Sequence, residues 1–307
     1  MKEQLKQILS TVRQGRPATL ALDAEGESYT RRFQPRERLI LLGGGHIALH
    51  LHTMAARLGF AVTVVDDRAA FASPQRFPEA EQTLVMDFSE AIARLHIGPG
   101  DYVAVMTRGH RYDADCLRTL LSEANWPRYV GMVASRRRGI TLLGQLREEG
   151  FDPGRLEQIH TPIGLAINAM TLEEIGVSIA AELVQVRRAD CPRRSRSTQL
   201  TQTEPEEDLL RFAVEDPEPK ALVVVLETRG STPVKTGALL VLDQNLRTEG
   251  TIGGGCAESS CVRQAWRLIG TGAQEVFTVS LNDEEAEEQG MACGGTMKVL
   301  AADLSTR

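Results

Sequence analysis

The chain has 307 residues, enough for two domains whose cores need neither disulfide nor metal staples. An apolar fraction of 42% and a charged fraction of 25% are those of a globular protein and exclude disorder over the whole length. With 41 acidic and 35 basic residues, the net charge of −6 argues against a dedicated nucleic-acid binder.

In chain order, residues 1–37 read as a helix carrying Leu5, Ile8, Leu9 and Val12, then a hairpin around Asp23–Gly26. They hold too few apolar residues for a core of their own and are expected to pack with the C-terminal domain. Residues 38–188 alternate strand and helix patterns. Strands are expected at 39–42, 61–65, 82–86, 102–106 and 129–133, and helices at 47–58, 88–95, 113–124 and 137–149. Such alternation predicts a Rossmann-like, doubly wound parallel sheet covered on both faces. A long helix at 171–188 closes the block, and Thr171 with Glu174 three residues later is a capping-box pattern. Residues 189–207 are polar and Pro-containing, a linker pattern, with Arg193, Arg194 and Arg196 as alternative phosphate or partner contacts. Residues 208–307 are expected to form a smaller α+β domain, with strands at 221–226, 238–242, 276–279 and 296–300 and a helix at 257–269. The fold class is therefore α/β with a smaller α+β domain following. No apolar run is long enough to span a membrane and no signal-peptide pattern opens the chain, so a soluble, cytoplasmic protein is expected.

The first candidate site is Gly43-Gly44-Gly45-His46-Ile47-Ala48, a G-x-G-x-x-A fingerprint between a strand and a helix. Gly43 would permit the tight turn, Gly45 would let the backbone approach a pyrophosphate, and Ala48 would allow close helix–strand packing. Asp66 or Asp67, about 20 residues on, would accept from a ribose hydroxyl. Arg68 leaves room for a 2′-phosphate, so NAD and NADP both stay open. Asp87, Thr107, Arg108, His110 and Ser135 end later strands and would converge on the same edge. An unliganded glycine turn is the alternative. His46 and His50 share a helix face, but no third ligand is evident and no metal site is assigned.

The cysteine count is odd, with no Cys-x-x-Cys, so neither a disulfide framework nor a zinc finger is suggested and a reducing compartment fits. Cys116 and Cys261 sit on apolar helix faces, the latter with Val262, Ala265, Trp266 and Ile269, and read as core. Cys191 falls in the linker. Cys256 follows three glycines at a helix start, where a thiolate is favoured, with Glu258 in the first turn. Cys293 precedes Gly294-Gly295, and the glycines would let a ligand near the sulfur. Thiolates suit soft metals and sulfur transfer, while a small buried residue in a tight loop is the alternative.

These motifs, with Gly230-Ser231-Thr232-Pro233, Pro162-Ile163-Gly164-Leu165 and Gly290-Met291-Ala292-Cys293-Gly294-Gly295, resemble the xanthine dehydrogenase accessory family of the XdhC/CoxI type. The resemblance covers nearly the whole chain, with the two domains in reversed order and residues 1–37 standing where the joining piece would be. Asn168 replaces a usual glycine, and Arg108-Gly109-His110 departs from a histidine directly after the threonine. The resemblance implies a maturation factor that binds the molybdenum cofactor (molybdopterin), assists its sulfuration, and delivers it to a xanthine dehydrogenase-type molybdenum hydroxylase. It also implies a homodimer and a cysteine desulfurase as a further partner. The cofactor's phosphate or pyrophosphate would suit the glycine loop, and its metal end would suit Cys256, Cys293 and Glu258. Two other classes compete: a nicotinamide-dependent oxidoreductase using His110 or a cysteine, and a nucleotide-sensing module. Neither a paired Tyr/Lys nor a His/Asp motif supports the first. The acidic run 283–288 reads as solvated, with docking to a basic partner as the alternative.

Overall fold

The computed structural model describes residues 1–189, 198–200, 206–280 and 295–305. The expected linker thiol Cys191, its arginines, the acidic run and Cys293 lie outside the described residues. The chain divides into two compact units, Met1–Arg36 with Pro192–Arg307 and Glu37–Cys191.

The first unit opens with α1 (Lys2–Arg13), whose Leu5, Ile8, Leu9 and Val12 recur at helical spacing and are all buried. β1 (Ala18–Ala24) and β2 (Glu27–Phe33) pair antiparallel across Glu25 and Gly26, at φ 51 and 82. Two successive left-handed residues give the twist that a two-residue hairpin needs.

The second unit then runs through β3 (Arg38–Leu42), α2 (His46–Arg57), β4 (Ala61–Asp66), β5 (Gln82–Val85), α3 (Phe88–Leu95) and β6 (Tyr102–Val105). It continues with α4 (His110–Ser122), β7 (Tyr129–Met132), α5 (Arg136–Glu148), α6 (Pro153–Glu157), β8 (Ile159–His160) and α7 (Leu172–Arg188). Strand order is β5-β4-β3-β6-β7-β8, parallel throughout. This is the Rossmann-like sheet expected from the alternation. β3, β4, β6 and β7 are mostly apolar because both faces are covered, by α3, α4 and α5 on one side and α2 and α7 on the other. The chain winds outward from β3 to β5, then returns to β6 on the other side, so the topological switch lies between β3 and β6.

The first unit resumes with β9 (Gln199–Leu200), α8 (Glu207–Val214), β10 (Lys220–Arg229), β11 (Leu239–Asp243), β12 (Thr248–Gly250), α9 (Gly255–Leu268), β13 (Gln274–Ser280) and β14 (Thr296–Asp303). Five of these strands form an antiparallel sheet in the order β12-β11-β10-β14-β13. One face carries α9 through Cys261 and Ala265. The opposite cluster joins α1, β1, β2 and α8 to Leu222, Val224 and Leu300. Trp266, expected in the α9 core, is instead 47% exposed, because its indole N–H donates to Gln244 O (3.0 Å) at the surface.

Arg31 ties these pieces together. It is fully buried on β2, donates from Nε to Gly237 O (2.9 Å), lies 5.0 Å from the Phe33 ring and pairs with Glu206, the N-cap residue of α8. Burial draws its guanidinium below the ordinary range, and Glu206 partly opposes that. Arg31→Met would strand the Glu206 carboxylate in an apolar setting, so denaturant unfolding should show a loss of about 3–5 kcal/mol. A loss within about 0.5 kcal/mol, typical of surface changes, would contradict the account.

Candidate functional site

The three glycines at the end of β3 have separate reasons. Gly43 adopts φ +119, and a Cβ there would lie 2.3 Å from Met106 O. Gly44 is more crowded still, with a Cβ position 1.7 Å from Phe71 O. Around Gly45 nothing lies within 4 Å of that position, so its approach is open. Two glycines thus serve internal packing and the third leaves room outside. Ala48, fully buried one turn into α2, permits the close helix–strand packing expected of it.

Asp66 closes this loop from the end of β4. It is 1% exposed. Its carboxylate accepts from the Gly44 amide (3.0 Å), the Arg68 amide (3.0 Å), Arg68 Nε (2.8 Å) and Arg68 Nη2 (3.0 Å). Burial pushes its pKa up, but the bonds from Arg68 and the two amides outweigh that and hold it below the usual carboxylate range. The expected ribose contact therefore does not fall to Asp66, whose oxygens are taken up in shaping the loop. Asp67 is exposed and bound by both Nη atoms of Arg108, which also stacks 4.2 Å from the Tyr112 ring centroid.

Arg76 completes the surround. It donates from Nε to Gly44 O (3.1 Å), while its Nη2 is buried with no hydrogen-bond partner among the described residues. In this unit α3, α5, α6 and α7 each start on a side-chain cap: Asp87, Ser135, Asp152 and Thr171. Asp87 and Ser135 are thereby strand-tip residues with a capping bond, and Thr171 forms the full capping box with Glu174. α2 and α4 instead start on Gly45 and Gly109 with no side-chain cap. These two helices follow β3 and β6, the strands beside the switch. Their first-turn amides have no intrahelical acceptor and are open to an anion. The open approach at Gly45 and the unpaired Arg76 Nη2 fit a phosphate group.

The helix after β6 begins at His110, three residues earlier than its apolar pattern indicated, so exposed His110 occupies the first turn, as does exposed His46 on α2. Thr107 Oγ1 lies 2.6 Å from Asp113 Oδ1, and Arg138 Nη2 donates to Asp113 Oδ2 (2.7 Å). Burial raises the Asp113 carboxyl despite both bonds. Apolar spacing alone starts this helix at Asp113, so the place of Asp113 within the first turn after Gly109 is not legible in the sequence.

In the first unit, Gly253, Gly254 and Gly255 all have positive φ. A Cβ on Gly253 would lie 2.4 Å from Pro233 Cγ, and one on Gly295 would lie 2.3 Å from Ser231 O. The Gly230-Ser231-Thr232-Pro233 turn is therefore packed against both glycines. Glu258 Oε2 accepts from Thr251 Oγ1 (2.7 Å), Ile252 N (2.9 Å) and Gly254 N (3.0 Å). Burial pushes that carboxyl up, and these bonds more than reverse the effect. Glu258 thus shapes the loop through Oε2. Cys256 is half-buried in the first turn of α9. Cys116 and Cys261 are fully buried, and burial pushes the Cys261 thiol up to about 12. Among the described residues no helix is long and apolar enough to cross a membrane, and no three His, Cys, Asp or Glu side chains form a metal-holding group.

A parallel sheet with a glycine loop at its switch point, followed by an antiparallel unit with a second glycine loop, defines a two-module protein with a Rossmann-like half. The chain belongs to the XdhC family: the family model for the XdhC Rossmann domain matches residues 39–183, and that for the XdhC and CoxI family matches residues 213–280. It is 34% identical over 153 residues to the uncharacterized protein YqeB of Escherichia coli (strain K12), covering 50% of this chain and 28% of that one. It is 31% identical over 166 residues to a probable xanthine dehydrogenase subunit from Bacillus subtilis (strain 168), covering 54% and 48%. The chain thus spans half or less of the length of these curated relatives. A crystal structure described as a xanthine dehydrogenase from Bacillus halodurans matches with a TM-score of 0.53 and 26% identity, over 61% of this chain and 67% of that one.

Because the Asp66 carboxyl lies lower in the folded chain than in the unfolded one, its contribution is fully present above the ordinary carboxylate value, about 3.9. It is lost as pH falls through the depressed value. Asp66→Asn should lower the melting temperature at pH 7 and flatten its fall in acid. Equal pH profiles for the two proteins would contradict this.

Proposed function

We propose that the protein is a maturation factor for a xanthine dehydrogenase-type molybdenum hydroxylase, binding the molybdenum cofactor rather than turning over a substrate alone. The observation that carries this reading is the uncapped start of α2 at Gly45, with the unpaired Arg76 Nη2 beside it, in a chain whose relatives include a probable subunit of xanthine dehydrogenase. A phosphate or pyrophosphate of the cofactor would sit on the first-turn amides of α2. Arg76 would add a charge-assisted hydrogen bond. When bound, the cofactor supplies a molybdenum centre with sulfur and oxygen ligands. Cys256 and Cys293, in the other unit, are the candidates for handling sulfur, and Glu258 holds the loop that carries Cys256. Sulfuration, a cysteine desulfurase partner, cytoplasmic action and a homodimer belong to this proposal.

The nicotinamide reading is less favoured, because Asp66 is committed to Gly44 and Arg68, and Asp67 to Arg108. His110 is exposed at the switch-point edge and could meet either ligand, whereas Arg108 is engaged by Asp67 and Tyr112.

Gly45→Asp separates binding from folding. Aspartate is among the best N-cap residues, and the backbone at φ −69 and ψ −171 suits it, so the fold should be retained. Its carboxylate would occupy the phosphate position, so activation of a cofactor-free hydroxylase should fall at least tenfold. Full activation by a folded Gly45→Asp protein would overturn the phosphate site. Cys256→Ala and Cys293→Ala should each leave cofactor retention measurable but lower delivery of active, sulfurated hydroxylase. Unchanged retention and unchanged activation in both would remove the cysteine role.

A further inference from the structure

The far end of the sheet carries a polar network that this function does not use. Glu182 on α7 is 7% exposed and accepts from the hydroxyl of Tyr129, the amide of Gly164 (2.9 Å) and Nδ1 of His160 (3.0 Å). Burial pushes its carboxyl up, yet these bonds outweigh it and hold it below the usual range, so it is ionised. An ionised carboxylate only accepts, so Nδ1 of His160 carries the hydrogen. In the Nδ1–H tautomer the ring's lone pair lies on Nε2, which has no hydrogen-bond partner among the described residues. The Tyr129 ring lies 4.7 Å from the imidazole centroid and is itself buried, which fixes the ring plane. Gly131 makes room for this contact: a Cβ there would lie 2.5 Å from Tyr129 Oη. Thr161 follows His160, and its Oγ1 is buried with no hydrogen-bond partner among the described residues.

His160 ends β8, on the carboxyl edge where open parallel sheets bind ligands. Carboxylate on Nδ1, half-exposed ring and unpartnered Nε2 together make an oriented proton acceptor. We propose that His160 is the ligand contact at the distal end of an extended phosphate ester, accepting a proton or hydrogen bond from a heterocyclic N–H, with Glu182 and Tyr129 as positioning residues. This rests on the reading that the phosphate sits at Gly45. β8 lies three strand spacings from β3, about 14 Å. The ligand must therefore be a two-part molecule, with its heterocycle well separated from its phosphate. In the transfer step, the Nε2 lone pair takes the hydrogen of the ligand N–H, and the bonding electrons stay on the ligand as an anion. The resulting imidazolium keeps Nδ1–H on Glu182, and the proton returns to water or ligand on release.

The test uses the full chain with two probes, a pterin monophosphate and inorganic phosphate. Long-range proton–nitrogen NMR should show His160 in the Nδ1–H form, and the pterin probe should move Nε2 towards its protonated position. His160→Asn and Glu182→Gln should each weaken pterin monophosphate at least tenfold while leaving inorganic phosphate unchanged. Gly45→Asp should weaken both probes. Wild-type pterin affinity in folded His160→Asn, an Nε2–H tautomer, or a wild-type protein that binds phosphate but not the pterin probe would overturn the inference. If Gly45→Asp leaves both probes bound while His160→Asn loses the pterin, the phosphate placement fails and the His160 contact stands.

Discussion

The Asp66 carboxylate is the constraint on which the Rossmann-like site depends. A glycine triplet at a strand end has no intrinsic single conformation, since each glycine is free to adopt either sign of φ. The carboxylate selects one by accepting the Gly44 amide, and it is held in place by Arg68 through backbone and side chain. Met106 and Phe71 then crowd the first two glycines, leaving open space beside the third at the start of α2. A residue type normally associated with reading a ribose is here part of the loop's framework.

The distribution of helix caps reports where a ligand would be accommodated. Capping most helices in the parallel-sheet unit with Asp, Ser or Thr satisfies amides that would otherwise need water. The two helices beside the switch begin with glycine instead, and the adjacent Arg76 has a buried donor without a hydrogen-bond partner among the described residues. Each omission is locally unfavourable, and together they concentrate unpaired donors at one edge. The glycine-cysteine loop follows a related plan. One oxygen of Glu258 organises Thr251, Ile252 and Gly254, while α9 starts on Gly254 without a side-chain cap.

Much of this was legible in the sequence because it rests on local spacing. The β-α alternation, the glycine fingerprint and the Thr171–Glu174 box depend on residues a few positions apart, and their physics is contained in that interval. What depended on distant chain was not legible. Short β8 has only two residues, too few for a period. Glu182 meets His160 and Tyr129 from 22 and 53 positions away. Asp66 lay in the expected place, but nothing local indicated that Arg68 and Gly44 would take up its oxygens. Trp266 fitted a helical face by spacing, yet its indole N–H found a carbonyl at the surface.

The central claim is that the start of α2 seats the phosphate of a molybdenum-cofactor pterin. Mass spectrometry of small molecules released from protein purified out of cells that make the cofactor tests it most directly. The account predicts a phosphate-bearing pterin in the released fraction. Release of NAD or NADP alone, with no pterin, would contradict it.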